Sequence, residues 1–422
     1  MHRKFDVLIV GAGPAGLTTA ICLEKSGLKV AVIEKMKFPR DKTCGDGLTP
    51  DVANQLHMIS EEISASFNKL PDKFPCYGAT IIAPNGRHLQ IPFIIKGENK
   101  PIHTLRRIDF DNFLFEYVSQ SDNIFIVENC IPEKIIHNQD SVQITTSEGS
   151  FEGSLVIGAD GVNSFVSRQM ELSRVTKQHQ CVSLRTYYKG LTPLNSSNPI
   201  EMYLHKDILP GYLWIFHLGN GIANVGTGMI ASVINKKRVN LNQLFEELLQ
   251  CEPLRSRLNG GERIEPVKGH ILPLGGEFRD ISGNRFLMTG DAAGLVDPFT
   301  GEGVGNAIRS GRVAAEHIIN CFRQENFSAE FNKAYDKEIY RRMMPEFKFH
   351  SLMRNLFNHA WLIDFFIGSA AKQPKLEASL QKAIMNMQVN KVSQNLLFIM
   401  RLVYIYTIQN LYVSLIPNKK IK

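Results

Sequence analysis

Paired cysteines are missing from this 422-residue chain: the seven, at 22, 44, 76, 130, 181, 251 and 321, are odd in number, scattered, and form no CxxC. That excludes a disulfide framework and a cysteine-based zinc site, so no metal is expected, and it fits a reducing compartment. Dense Lys/Arg clusters are lacking as well, although the net charge is +7. So mild a basic excess suits anionic cofactors or a phospholipid surface and gives no footprint for nucleic acid. There is no low-complexity tract and no internal repeat. The opening MHRKFDVLIVGAG does not read as a signal peptide, because its apolar run is short and leads straight into glycines. The expected location is cytoplasmic.

Long apolar runs are scarce. The exception is 396–416, LLFIMRLVYIYTIQNLYVSLI, whose single charge is Arg401. A spanning helix needs about 20 apolar residues, and Arg401, Thr407, Gln409, Asn410 and Ser414 dilute this one. Three readings stay open for it: a buried or dimer-interface helix, a helix lying on or in a membrane surface, or a true span. The oligomeric state cannot be read from the residues.

What is present is ordinary globular material, 44% hydrophobic and 21% charged, long enough for two or three domains around a large core. Residues 5–10, 14–26 and 29–34 read as strand, helix and strand, with Gly27 closing the helix. Residues 50–66 read as helix, 75–100 as a hairpin turned at Asn85-Gly86, and 107–119 as helix. Strands are expected at 124–127, 142–145 and 155–157, then at 182–188, 201–204, 212–217 and 222–229, with a helix near 241–250. That second group has the signature of a separate, largely antiparallel sheet. After about 326 the chain reads as mostly helical and carries no motif.

Two glycine-rich segments carry the chemistry. GAGPAG (Gly11, Gly13, Gly16) lies between a strand and a helix, and Glu34 ends the next strand. Gly11 permits the tight turn, Gly13 lets a pyrophosphate reach the backbone, Gly16 allows close helix packing, and Glu34 can accept from a ribose. Residues 290–307, GDAAGLVDPFTGEGVGNA, hold five glycines, one proline and three carboxylates between an apolar strand and a helical pattern. A chain of that kind can pass close to a large ligand with a helix N-terminus aimed at it.

GAGPAG with Glu34, GADGVNS at 158–164 and GDAAGLVDP at 290–298 together resemble the three signatures of FAD-dependent oxidoreductases of the para-hydroxybenzoate hydroxylase fold. The likeness runs from about residue 4 to 325. It implies an α/β fold in which a Rossmann-like FAD-binding domain is built from discontinuous segments, 1–75, 106–174 and 280–325. A largely antiparallel β-sheet substrate domain (hairpin 76–105, sheet 175–279) is inserted, and 326–422 forms a C-terminal helical region. FAD would be held by Gly11, Gly13, Ala15, Gly16, Glu34, Lys35, Asp160, Gly161, Asp291, Pro298, Gly301, Gly303, Val304 and Gly305. Arg107, in an RxxFDxxL pattern, would touch it as well.

Two further segments, FPRDKTCGDGLTP (38–50) and GYLWIF (211–216), resemble the geranylgeranyl reductase branch. By that likeness Arg40, Cys44, Gly45 and Asp46 would flank the flavin, while Tyr212 and Trp214 would line a lipid-sized pocket; Cys44, Asp46, Tyr212 and Trp214 are the catalytic candidates. His217 stands where that family usually has proline. The expected reaction is reduction of C=C bonds in a hydrophobic isoprenoid lipid or quinone side chain, with NADPH or another reductant as electron donor. The alternative is an NAD(P)H-dependent flavin monooxygenase of the aromatic hydroxylase or halogenase type. Cys44, Asp46, Tyr212, His217 and a water all stay open as proton source.

Overall fold

The computed structural model describes residues 2–95, 98–99 and 101–370; the apolar segment 396–416 lies outside the described residues. The chain begins with β1 (Val7–Val10), α1 (Pro14–Leu23), β2 (Val30–Ile33) and α2 (Pro50–Ile59). The hairpin β3 (Gly78–Ile82) and β4 (His88–Pro92) follows, then α3 (Arg107–Val118), β5 (Ile124–Val127) and β6 (Leu155–Gly158). Next come β7 (Gln180–Lys189), β8 (Ile200–Tyr203), β9 (Tyr212–Gly219), β10 (Ile222–Ile230) and β11 (Lys268–Pro273). The last described part holds β12 (Phe286–Met288), α4 (Val304–Arg323), α5 (Ala329–Leu356) and α6 (Ala360–Ala370).

VLIV, VAVI and LVIG in β1, β2 and β6 are buried at every position. Strands without a polar face belong in a parallel sheet covered on both sides. The sheet runs β5-β2-β1-β6-β12, all parallel, with Ser282–Gly283 antiparallel at its edge. Pro14 opens α1, and Gly27, left-handed at φ 79°, ends the short 3-10 turn that follows it. A Cβ on Gly16 would sit 2.0 Å from the Gly11 carbonyl oxygen, and one on Gly311 of α4 would sit 2.5 Å from the Ala15 oxygen. Glycine at both places lets α1 lie against its own entry turn and against α4. Thr19 Oγ1 then donates to the Gly311 carbonyl at 3.2 Å.

The second sheet is mostly antiparallel, ordered Glu262–Arg263, β7, β10, β9, β8, β3, β4, with β11 also paired to β7. Its one parallel pairing is β8 with β3, which joins the early hairpin to strands more than a hundred residues later. Along β8 and β9 the side chains alternate. Leu213, Ile215 and Tyr203 pack under the helix Leu241–Leu249, while Met202, Tyr212, Trp214 and Phe216 face the opposite way, into a cavity. α6 packs on β4, and Asp364 accepts the Asn85 N–H at 3.0 Å.

Two local expectations needed revision. Residues 50–66 form two helices, because Ser60 is extended and its Oγ caps Glu61–Asn68 by accepting the Ile63 N–H at 3.2 Å. A four-stranded sheet of His2–Lys4, Gly149–Gly153, Val142–Thr146 and Pro132–His137 lies beside the parallel one. Strands such as PEKIIH are too exposed to show a clear apolar alternation.

Candidate cofactor and substrate site

A cavity of 2120 Å³ runs between the two sheets and under α5 and α6. Sites for drug-sized ligands occupy roughly 300–1,000 Å³, so this one has room for a dinucleotide and a second large molecule. Its first end lies at the glycine turn after β1. A Cβ on Gly11 would lie 2.5 Å from the Ala159 oxygen, so the β1 and β6 turns are in backbone contact. Gly13 is open except for Arg40 Nη2 at 3.8 Å. Glu34 is buried and accepts from Ala12 N at 2.8 Å and Met36 N at 3.0 Å. A carboxylate has about four acceptor positions, so ribose hydroxyls can be added without displacing those two.

Asp160 Oδ2 accepts from Phe165 N at 2.6 Å and Val166 N at 3.1 Å, whereas its buried Oδ1 has no partner. An orphaned buried acceptor is costly. At the cavity wall beside Gly161, whose Cβ direction is empty, it fits a donor from a bound cofactor. Arg40 and Arg107 meet on Asp111. Arg40 Nη1 donates to Asp111 Oδ2 at 3.0 Å, and Arg107 makes a bidentate pair with the same carboxylate at 2.7 and 2.8 Å. Asp111, which sequence reasoning missed, is fully buried and fixes both cations at the cavity wall. Arg107 is therefore no solvated helix start: burial opposes its charge, but Asp111 more than offsets this and holds it protonated.

The 38–50 loop divides its residues between two jobs. Lys42, Cys44 and Gly45 line the cavity; Asp46 does not. Asp46, with φ 63°, is fully buried, and its carboxylate accepts from Arg107 N at 3.1 Å, Tyr187 OH at 2.6 Å and Asn224 Nδ2 at 2.7 Å. Burial raises its carboxyl above the usual range despite those bonds. The structure thus takes Asp46 away from reacting atoms and makes it the anchor of the loop. Asn224, also missed, ties this network to the wall by donating to the Cys44 carbonyl and accepting from Trp214 Nε1, both at 2.8 Å. Lys42 Nζ lies 2.7 Å from His270 Nε2, and burial together with that ammonium pushes His270 down to about 4, so it is a neutral acceptor.

Tyr212, Trp214 and Phe216 form a ladder with ring centroids 6.0 and 6.1 Å apart, and Tyr212 OH donates to the Thr300 carbonyl at 2.6 Å. His217, one residue out of phase, is buried on the other face with Glu201 at 3.1 Å and Arg257 at 3.0 Å, and it does not line the cavity. Beyond the ladder the wall turns apolar: Ala79, Ile81 and Leu89 from the hairpin, Leu204 after β8, and Phe366 and Ile367 from α6.

The 290–307 segment closes the third side. Asp291, Gly301, Gly303 and Val304 line the cavity where α4 starts, with the Gly305 N–H donating to Glu302 Oε1 at 2.6 Å; Pro298, Gly305 and Gly16 do not line it. Asp297 Oδ1 collects Phe299 N at 2.9 Å, Thr300 N at 2.8 Å and Thr300 Oγ1 at 3.0 Å, while its Oδ2 is hydrogen-bonded to His350 Nδ1 on α5. Asp297, Glu346 and His350 each bring an oxygen or nitrogen within 4.8 Å of the others. Burial opposes ionisation of Asp297, but His350 and the backbone donors hold its carboxyl below the usual range. Glu302 goes the other way, pushed up to about 8 by burial, with Asp51 and Asp297 adding to the effect.

A glycine cradle at one end and an aromatic, apolar chamber at the other define an FAD-dependent oxidoreductase. A family model described as an FAD binding domain matches residues 4–207. An uncharacterized protein of Methanosarcina barkeri is 30% identical over 344 residues, 80% of this chain and 81% of that protein. The digeranylgeranylglycerophospholipid reductase of Methanococcus vannielii is 27% identical over 364 residues, 84% of this chain and 88% of the relative. Among solved structures, a geranylgeranyl bacteriochlorophyll reductase-like protein of Thermoplasma acidophilum superimposes with a TM-score of 0.76 at 23% identity, covering 87% of this chain and 91% of that one. The chain is an FAD-dependent oxidoreductase of the same family as the Methanosarcina protein, and it is similar to the digeranylgeranylglycerophospholipid reductases.

Proposed function

We propose that the protein saturates C=C bonds in the prenyl chain of a membrane lipid or quinone, using FAD that NADPH or another donor reduces. The observation that carries this reading is one continuous cavity joining the dinucleotide cradle to an apolar chamber far larger than a small phenol needs. The reductase name carried by the Methanococcus relative points to the same class of substrate.

In this reading the parallel sheet and its helices form the FAD-binding domain, the second sheet forms the substrate domain, and α5 and α6 roof the chamber. Gly11, Gly13 and Ala15 would receive the pyrophosphate, Asp160 a donor group of the cofactor beside it, Glu34 the ribose, and Asp291 the ribityl chain. Lys35, Arg40, Gly161, Gly301 and Gly303 border the same path. When bound and reduced, FAD supplies the hydride. The N-terminus of α4 at the cavity wall would add partial positive charge beside the electron-rich part of a reduced ring. Tyr212, Trp214 and Phe216 would hold the alkene flat beside that position and, with Cys44 and Gly45 opposite, exclude water. No helix among the described residues is long and apolar enough to cross a membrane. In this reading the lipid is drawn from a membrane surface to which the enzyme binds peripherally.

Anaerobic incubation of dithionite-reduced holoenzyme with cell lipids and quinones, followed by mass spectrometry, tests the reading. Gains of two mass units per saturated bond are expected. NADPH oxidation stimulated by a small phenol, with a hydroxylated product, would overturn it in favour of oxygen chemistry.

A further inference from the structure

Adding hydrogen across a C=C bond requires an acid as well as a hydride source, and the cavity wall narrows the choice. Asp46 and His217 do not line it. The Tyr212 hydroxyl already donates to the Thr300 carbonyl, and burial makes it a weaker acid than free tyrosine. His350 lines the cavity where the 290–307 loop meets the apolar chamber, with the Phe299 ring 6.3 Å away and Phe349, Met353 and Phe357 on the same wall. Its Nδ1 is held by Asp297, whose other oxygen is fixed by three donors from the loop itself. A carboxylate that orients an imidazole through Nδ1 and stabilises its charged form is the arrangement used by histidine acids and bases generally.

We propose that His350 is a catalytic residue that gives the proton to the substrate, with Asp297 as its positioning residue; this rests on reading the cavity as a site of C=C reduction. The balance closes without another reactant. The π pair takes the proton from imidazole Nε2 and forms one C–H bond. The hydride pair forms the other, so two-electron-reduced FAD is the species oxidised. The imidazole is left neutral and regains its proton from solvent. Helix α5 thereby supplies chemistry that the glycine motifs do not contain.

The test follows flavin reoxidation in anaerobic stopped flow, with dithionite-reduced holoenzyme mixed with a geranylgeranyl-chain phospholipid in detergent micelles. In wild type the rate should fall on the alkaline side of one pH limb and slow at least two-fold in D₂O. His350→Gln should bind FAD and be reduced as wild type, reoxidise about 10²- to 10⁴-fold more slowly, and lose the limb. Asp297→Asn should keep the limb but move it to lower pH. Besides Asp297, the charged group acting on the imidazole is Glu346; Glu302, Arg354 and Tyr212 act on Asp297, and Asp51 and Arg309 on Glu346. All of them remain in the His350 variant. A limb that survives there belongs to one of them and overturns the proposal, as does a rate within three-fold of wild type. Should neither His350→Gln nor His350→Asn retain FAD, wild type decides: a pH-independent rate with no solvent isotope effect refutes an acid of this kind. A wild type that the lipid cannot reoxidise removes the reductase reading itself, a failure visible before any variant is made.

Discussion

Asp46 offers the sharpest contrast between a chemical and an architectural role. Its carboxylate satisfies three donors, Arg107 N, Tyr187 OH and Asn224 Nδ2, from a position with no solvent exposure. Asp46→Ala leaves those donors unpaired at roughly 1–2 kcal/mol each, taking the lower part of the range for a stranded buried group. Alanine at φ 63° adds about 1 kcal/mol of left-handed strain that aspartate bears more easily. The expected loss is on the order of 4–7 kcal/mol, a large part of a typical stability of about 5–15 kcal/mol. Asp46→Asn keeps the shape and one acceptor but turns an NH₂ toward existing donors, and should lose about 2–3 kcal/mol. Tyr187→Phe, which removes a single donor, should lose about 1 kcal/mol. Urea unfolding of the apoprotein reads this ranking, and FAD retained on gel filtration should fall in the same order as the Cys44–Gly45 wall loosens. An Asp46→Asn protein with wild-type urea midpoint and full FAD, yet reoxidised a hundredfold more slowly by prenyl lipid, would refute the anchor and restore a role in the reaction.

Three other outcomes follow from the cavity. Gly161→Ala fills a direction that is empty in the protein and strains φ 79°; FAD affinity should drop at least tenfold by fluorescence titration, with apoprotein melting only a few degrees lower. Glu302 ionises near 4.5 when unfolded and is pushed up to about 8 by burial when folded, so the unfolded chain releases a proton that the folded one keeps as pH rises between those values. That group's contribution to stability falls across this window, and Glu302→Gln should gain on wild type in apoprotein melts by about 2 kcal/mol between pH 5 and pH 8.5, the cavity's water moderating the full shift. Ile81→Trp narrows the apolar chamber far from the glycine cradle. Dithionite reduction and FAD content should stay unchanged, while turnover of a geranylgeranyl chain falls more than tenfold and that of a geranyl chain falls less.

The cofactor end was legible because its requirements are local. Gly11 is dictated by the φ of 101° that its turn needs, Gly16 by a backbone contact within that turn, and Glu34 by the length of a single strand-helix-strand unit. The aromatic ladder was half legible. Period-two alternation from Trp214 also puts Phe216 in the cavity and His217 on the opposite face, a signal already present in YLWIFH. Asp46 was misread because a loop residue with positive φ has no periodicity from which side-chain direction can be inferred. Asp111 and Asn224 act through partners distant in sequence, which no local pattern marks. His350 had the weakest signal of all, one histidine in the 28-residue α5, with Pro345 inside it.

The parallel β8–β3 pairing and the late arrival of β12 beside β6 have a consequence for how the chain reaches its native state. Neither sheet is complete until segments far apart in sequence meet, and folding of such topologies is slow because loop closure precedes any reward. A fragment ending at residue 207, where the FAD-domain match stops, would have β1, β2, β5 and β6 but not β12. β6 would then present an unpaired, wholly apolar edge of the sort that recruits other chains. During synthesis the ribosome-bound chain passes through that same state for some eighty residues. Expression yield should therefore depend on chaperones that shield this edge, and truncated versions designed as minimal flavin domains should aggregate.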